Sequence, residues 1–176
     1  MPELRIRRFK KSDVVHLKQV ADRAFDNQSD KYWSIVGALR APHTYVAVYG
    51  KIIVGAIEFE AYRLPKSIEG HIWYIFVDPK HQNRGIGTML LRKAEKVMVE
   101  EGAIRFWALT GPDNIKTQRF FEKNNYRRVS IAEMKEILGS KNTKRLLRRM
   151  IYWEGDIIYV KGVQKNKNVV GTNQSI

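Results

Sequence analysis

His-Ile-Trp-Tyr-Ile-Phe-Val-Asp-Pro-Lys-His-Gln-Asn-Arg-Gly-Ile-Gly-Thr, residues 71 to 88, decides how this chain folds. Residues 71–77 read as an apolar strand, Asp78-Pro79 marks a turn, and a glycine-bearing loop leads into a helix over roughly 88–101. That order makes an anion site. Gly85 and Gly87 carry no side chain to hold a ligand off the backbone, and a helix opening near Thr88 points unpaired N–H groups and a positive dipole end at the loop. A pyrophosphate fits such a place.

Working outward, the helix sets Leu90, Leu91, Ala94, Val97 and Met98 on one face, and Gly102 stops it. Ile104–Leu109 is a second buried strand, so strand, helix and strand form a βαβ crossover with the two strands parallel. Upstream, 4–9 alternates apolar and basic residues as a half-buried strand, and helices are expected over about 13–26 and 31–40. Thr44–Tyr49 and Ile52–Glu60 flank Gly50-Lys51 as an antiparallel hairpin, linked to strand 71–77 through 61–70. Downstream, a strand begins near Tyr126, a basic helical segment broken at Gly139-Ser140 spans 131–150, and 151–160 supplies the last strand. The tail, 161–176, is expected to be loose. No internal repeat is present, and the expected organisation is a single domain over 1–160.

The chain has no Cys, which excludes disulfides and thiolate chemistry, and its four His residues show no metal-ligand spacing, so no metal is expected. No signal peptide or membrane-length apolar run is present, and a cytoplasmic location is expected. A formal charge of +14 concentrates anions near the surface, whether phosphates, acidic proteins or nucleic acid.

Gln82-Asn83-Arg84-Gly85-Ile86-Gly87 resembles the Q/R-x-x-G-x-G/A loop of the GNAT acetyltransferase superfamily, which holds the pyrophosphate of acetyl-CoA. Asn114–Tyr126 resembles that superfamily's N-x-x-A-x-x-F-Y-E-K-x-G-F helix, with Thr117 for Ala, Phe121 for Tyr and Asn125-Tyr126 for Gly-Phe. Asn125 is a mild departure, because Asn tolerates the left-handed conformation the Gly serves. The resemblance implies an α/β (α+β) fold with a mixed, mostly antiparallel sheet of about seven strands, splayed between strands 4 and 5 and flanked by helices. Residues 131–150 are then an insertion before the last strand.

The resemblance further implies acetyl-CoA as cosubstrate, with no metal, and direct attack of an amine on the thioester. Cofactor contacts carried over are Gln82, Asn83, Arg84, Gly85, Ile86, Gly87 and Thr88 of the loop, with Asn114, whose alternative role is a helix cap. Ile75 N–H would polarise the acetyl carbonyl, while Phe76 and Val77 pair with pantetheine as an added strand does. A protonated amine must lose its proton, and His71 stands where the histone-acetylating branch carries its glutamate base; an imidazole of pKa about 6.5 suits the task. Glu58 and Glu60 are rival bases, with surface carboxylates the plain alternative. Phe121 occupies the place of the Tyr that protonates the leaving thiolate and has no proton to give; Tyr126, Tyr74 or water are the substitutes.

The leading expectation is acetylation of a protein amine, on a lysine or an N-terminus. The alternatives are a small-molecule amine acetylase and a catalytically reduced CoA-binding or nucleic-acid-associated module. Partners expected are an acidic or nucleic-acid-associated protein substrate and no membrane, for a monomer or homodimer. A dinucleotide-binding reading of Gly85-Ile86-Gly87 fails at its third glycine.

Overall fold

The period-two alternation of the hairpin and of the strand before the glycine loop builds the centre of the sheet. In the computed structural model, which describes residues 3–163, these become β2 (His43–Tyr49), β3 (Ile52–Arg63) and β4 (Ile68–Val77). Preceding them are β1 (Leu4–Arg8), α1 (Val14–Ala24) and α2 (Gln28–Arg40). After them come α3 (Ile86–Glu100), β5 (Ala103–Thr110), α4 (Ile115–Lys123), β6 (Arg127–Val129), α5 (Ile131–Leu138), α6 (Ser140–Met150) and β7 (Ile157–Gly162). The strands form one sheet in the order β1-β2-β3-β4-β5-β7-β6. Only β4 and β5 are parallel, as the right-handed crossover through α3 requires.

Each face of the sheet buries a different set of helices. On one, α3 and α4 cover Ile57, Phe59 and Ile72 with Leu90, Leu91, Met98 and Phe121. On the other, α1 and α2 cover Val46, Ala56 and Phe76, while α5 and α6 cover Trp107, Ile158 and Val160 with Met134, Leu138 and Leu146. Fully burying such a side chain stabilises by about 1.5–3 kcal/mol, so α5 and α6 are docked by their own apolar stripe.

Three expectations need correction. β3 and β4 are longer than read, and the link is only residues 64–67: Gly70 does not end a strand but packs under Met98 and Phe106, where a Cβ would stand 2.7 Å from each. The last strand begins at Ile157, because Ile151 takes a left-handed φ of 57° to stop α6 and Asp156 closes a turn by accepting from Trp153 N–H at 2.9 Å. Lys161 and Gly162, read as tail, belong to β7; residues 164–176 of that tail lie outside the described residues. Asn125 does adopt the left-handed conformation, at φ 67°.

β4 and β5 pair from Ile68↔Ala103 only to His71↔Trp107. Just beyond, Glu58 pairs with Tyr74 and Phe59 with Ile72, so Trp73 is an extra residue in β4. Such a bulge bends its strand, and β4 leaves β5 there.

Candidate active site

The open edge of β4 is fixed by parity. Asp78 N–H donates to the Val54 carbonyl of β3 at 2.8 Å. Backbone polar groups alternate sides along a strand, so Phe76 also spends its groups on β3, while those of Ile75 and Val77 face the edge β5 has left. The Val77 carbonyl is held by Gln82 Nε2–H at 2.8 Å. Of the three strand residues expected to meet a pantetheine, Ile75 and Val77 therefore turn backbone groups to the open edge, and Phe76 turns its own to β3.

Below that edge lies the glycine loop. Asn83 and Gly85 take left-handed φ values of 60° and 77°, and the second is the N-cap of α3, with no atom within 4 Å of where a Cβ would stand. The helix begins at Ile86, earlier than Thr88. Its first bond runs from Met89 N–H to the Gly85 carbonyl at 3.0 Å, which leaves the N–H groups of Ile86, Gly87 and Thr88 without helical acceptors. Gly87 has a different use from Gly85: a Cβ there would press on the Phe120 ring at 3.1 Å, so its bareness lets α4 pack on α3. Gln82 braces the loop, its other amide atom accepting from Lys116 Nζ. Arg84 is exposed. Asn114 Oδ1 accepts from Thr117 N–H at 3.1 Å, so the cap role is real.

On the opposite face, beside the point where the strands part, Glu60, His71 and Trp73 converge. Glu60 is no surface carboxylate; it is 3% exposed. It accepts from Trp73 Nε1 at 3.0 Å and from Arg149 Nε and Nη2 at 2.7 and 2.6 Å, and lies 3.3 Å from His71 Nδ1. Burial pushes its pKa up, but the hydrogen bonds of His71, Arg149 and Trp73 outweigh this and hold it at about 2. An ionised carboxylate has no proton to give, so His71 Nδ1 carries the hydrogen and Nε2 keeps its lone pair. Burial lowers the His71 pKa below its usual 6.5, more than the neighbouring Glu60 raises it, and Arg149 lowers it further. A neutral imidazole with an oriented acceptor nitrogen results.

Glu58, read as a rival base with a surface carboxylate as the alternative, is fully buried. Among the described residues neither of its oxygens has a hydrogen-bond partner, and it presses on α2, where a Cβ on Gly37 would clash with Oε2. Burial alone raises its pKa well above the usual value. Burial beneath α2 thus disfavours its charged form.

The acid side is equally definite. Phe121 is 2% exposed and packs between Tyr126, tilted at 5.2 Å between ring centroids, and Tyr159, stacked at 5.6 Å. Tyr126 donates to Glu95 at 3.0 Å and Tyr74 to Asp30 at 3.2 Å. Burial, with the facing carboxylate, raises both phenol pKa values, so neither is a ready proton donor. Arg149 was missed as a site residue: it stands 89 residues from Glu60 in sequence and looked like one more surface cation of the insertion. Trp73 was missed too, although its two-residue step from His71 marked a shared face.

The sequence profile of the Acetyltransferase (GNAT) family matches residues 12–126, well over half of the chain. The chain belongs to this family. The chain is 38% identical over 69 residues to YxbD of Bacillus subtilis (strain 168), an alignment covering 34% of the chain and 43% of that protein; it thus spans under half the length of the curated relative it matches. Its fold is that of the PaiA N-acetyltransferase of Thermoplasma acidophilum in complex with coenzyme A, with a TM-score of 0.69 at 16% identity, covering 92% of this chain and 99% of the other. The ribosomal-protein-S18-alanine N-acetyltransferase of Escherichia coli is similar at a TM-score of 0.64 and 14% identity, covering 95% and 99%. At such identities the likeness is one of fold. Among the described residues no group of His, Asp and Glu could hold a metal ion, and no helix is long and apolar enough to cross a membrane.

Proposed function

We propose that this acetyltransferase moves the acetyl group of acetyl-CoA onto a primary amine of a protein, a lysine side chain or an N-terminus, by direct attack in a ternary complex. The observation that carries the reading is the parting of β4 from β5 at His71, with a His71–Glu60 pair on one side and the α3 N-terminus below the other. The residues fit the donor. Ile86, Gly87 and Thr88 would hold its pyrophosphate with free N–H groups over the open ground at Gly85, and Ile75 and Val77 would hold its pantetheine arm and acetyl carbonyl. Bound there, the thioester supplies an acyl group with a tolerable leaving group.

The protein's own contribution is proton transfer and orientation. His71 Nε2 takes the amine proton as the carbon–nitrogen bond forms and the carbon–sulfur bond breaks, while Glu60 fixes the tautomer and steadies the imidazolium. The thiolate takes its proton from water, since Phe121 has none. This weak acid side also favours a second reading, a CoA-binding module with reduced catalysis.

Thiol release from acetyl-CoA, measured with peptide amines and with small amines, separates these readings. We expect peptide turnover, rising with pH through an apparent pKa below 6.5, the direction in which burial moves His71. His71→Ala should cost about 10²–10⁴ in kcat/KM with CoA affinity kept. Full activity in that variant would remove His71 from the mechanism, and absence of turnover with any amine despite CoA binding would favour the module.

A further inference from the structure

α6 carries Lys141, Lys144, Arg145, Arg148 and Arg149, all exposed, while Thr143, Leu146 and Met150 are buried. At a hundred degrees per residue the five cations share one face of the helix, opposite its apolar side. The helix contains no acidic residue. Among the described residues only Arg149 of the five forms a salt bridge. It is a cation held for use: its guanidinium carbon lies 5.6 Å from the centre of the Tyr62 ring and 5.3 Å from that of Trp73. Glu60 fixes Nε and Nη2, and Nη1 has no hydrogen-bond partner among the described residues. Through Glu60 this end of the stripe touches His71.

We infer that the α6 stripe docks the acidic flank of the polypeptide whose amine is acetylated, with Arg149 anchoring the carboxylate nearest the reacting amine. The inference rests on the protein-amine reading above. An occupant of the stripe that also reaches His71 has to present a nucleophilic amine. The exocyclic amines of nucleobases are conjugated into their rings and attack poorly, whereas a polypeptide supplies carboxylates and an aliphatic amine on one chain. That favours an acidic peptide over nucleic acid. Four exposed cations plus a preorganised arginine act on encounter and register more than on deep affinity, so the signature is a salt-dependent preference.

The test uses three peptides with the same reactive lysine, flanked by Glu, by Gln or by Lys residues, and the full chain. Thiol release gives kcat/KM, and fluorescence anisotropy of labelled peptides in the presence of CoA gives binding without turnover. At low salt the Glu-flanked peptide is expected to exceed the Gln-flanked one by about tenfold, with the Lys-flanked one lowest and the spread shrinking as salt rises. K144E/R145E/R148E, at exposed positions outside the Glu60 cluster, should invert the order. Turnover within twofold for all three peptides, or an order unmoved by the charge reversal, overturns the inference while leaving protein acetylation standing. Glu-flanked peptide bound through the stripe but never acetylated overturns the protein-amine reading and leaves the docking surface. A single-stranded oligonucleotide that binds α6 more tightly than the Glu-flanked peptide, and is not displaced by it, overturns the choice of partner.

Discussion

Glu58→Gln should make the protein progressively more stable than wild type as pH rises. The carboxyl is fully buried, both oxygens lack partners, and its folded-state pKa lies well above the usual 4.5. Below pH 4.5 the group is protonated in both the folded and unfolded chain and is neutral to stability. As pH rises through the unfolded value, the unfolded chain releases its proton and the folded one does not, so stability falls by up to about 1.4 kcal/mol per pH unit until the buried group itself ionises. For a chain of this size that slope is about 3–6 °C in Tm per pH unit. Gln fills nearly the same space and does not titrate; its unpartnered amide adds a constant cost of about 1–3 kcal/mol. The quantity to read is the difference in Tm between variant and wild type, by differential scanning calorimetry from pH 4 to 8, because titration of Glu60 and His71 cancels in it. It should climb from pH 4.5 upward. A difference constant to within a degree across pH 5–8 would show that Glu58 is ionised or solvated in the folded protein, and would refute the reasoning.

Gly85→Val puts a β-branched residue at φ 77°, which costs about 1–2 kcal/mol of strain and fills the open ground over the loop; calorimetry should show CoA affinity reduced at least about tenfold, and unchanged affinity would remove the loop from the cofactor site. Arg149→Ala leaves Glu60 buried with only His71 and Trp73 as donors, so it should lower stability by about 1–3 kcal/mol. Because Arg149 lowers the His71 pKa, the acidic limb of kcat/KM should also move to higher pH, and an unmoved limb would uncouple Arg149 from His71. Phe121→Tyr adds a hydroxyl to a ring only 2% exposed. It should lower Tm by several degrees without raising kcat, and a gain in rate would place that position in the cleft.

The parts of this fold that were legible in the sequence are those set by neighbours along the chain. The period-two hairpin, the apolar stripe of α3 and the glycine loop each report a local backbone requirement, and each was found within a few residues. What could not be read depends on partners remote in sequence. Arg149 and Glu60 look like surface charges until the sheet brings β3 against α6. Trp73 is an ordinary strand residue until the Glu58/Phe59 register shows it to be the bulge. The start of β7 was misplaced because Ile151 and Tyr152, apolar enough for a strand, sit where a left-handed residue ends a helix. The packing use of Gly87 could not be read because only the folded chain reveals Phe120 beside it.

Three carboxylates are buried on the face of the sheet that carries His71, and they are treated differently. Glu69 is saturated by Arg105, Trp107 and Ser67. Glu60 is matched by Arg149, Trp73 and His71. Glu58, two residues from Glu60 on the same strand and face, is given nothing. Two ionised carboxylates on one face of a strand would each raise the other's pKa. Burial disfavours a charge on Glu58, and Glu60 is the carboxylate that meets His71 Nδ1, so the tautomer with Nε2 free is favoured. α6 thereby bears on the electrostatics of the His71 pair, because without Arg149 Glu60 would face its burial with fewer donors to keep it ionised. A family core that runs from β6 directly into β7 would lack that guanidinium. In this chain the proposed base and the helix proposed to dock the acceptor are therefore joined through a single carboxylate, Glu60.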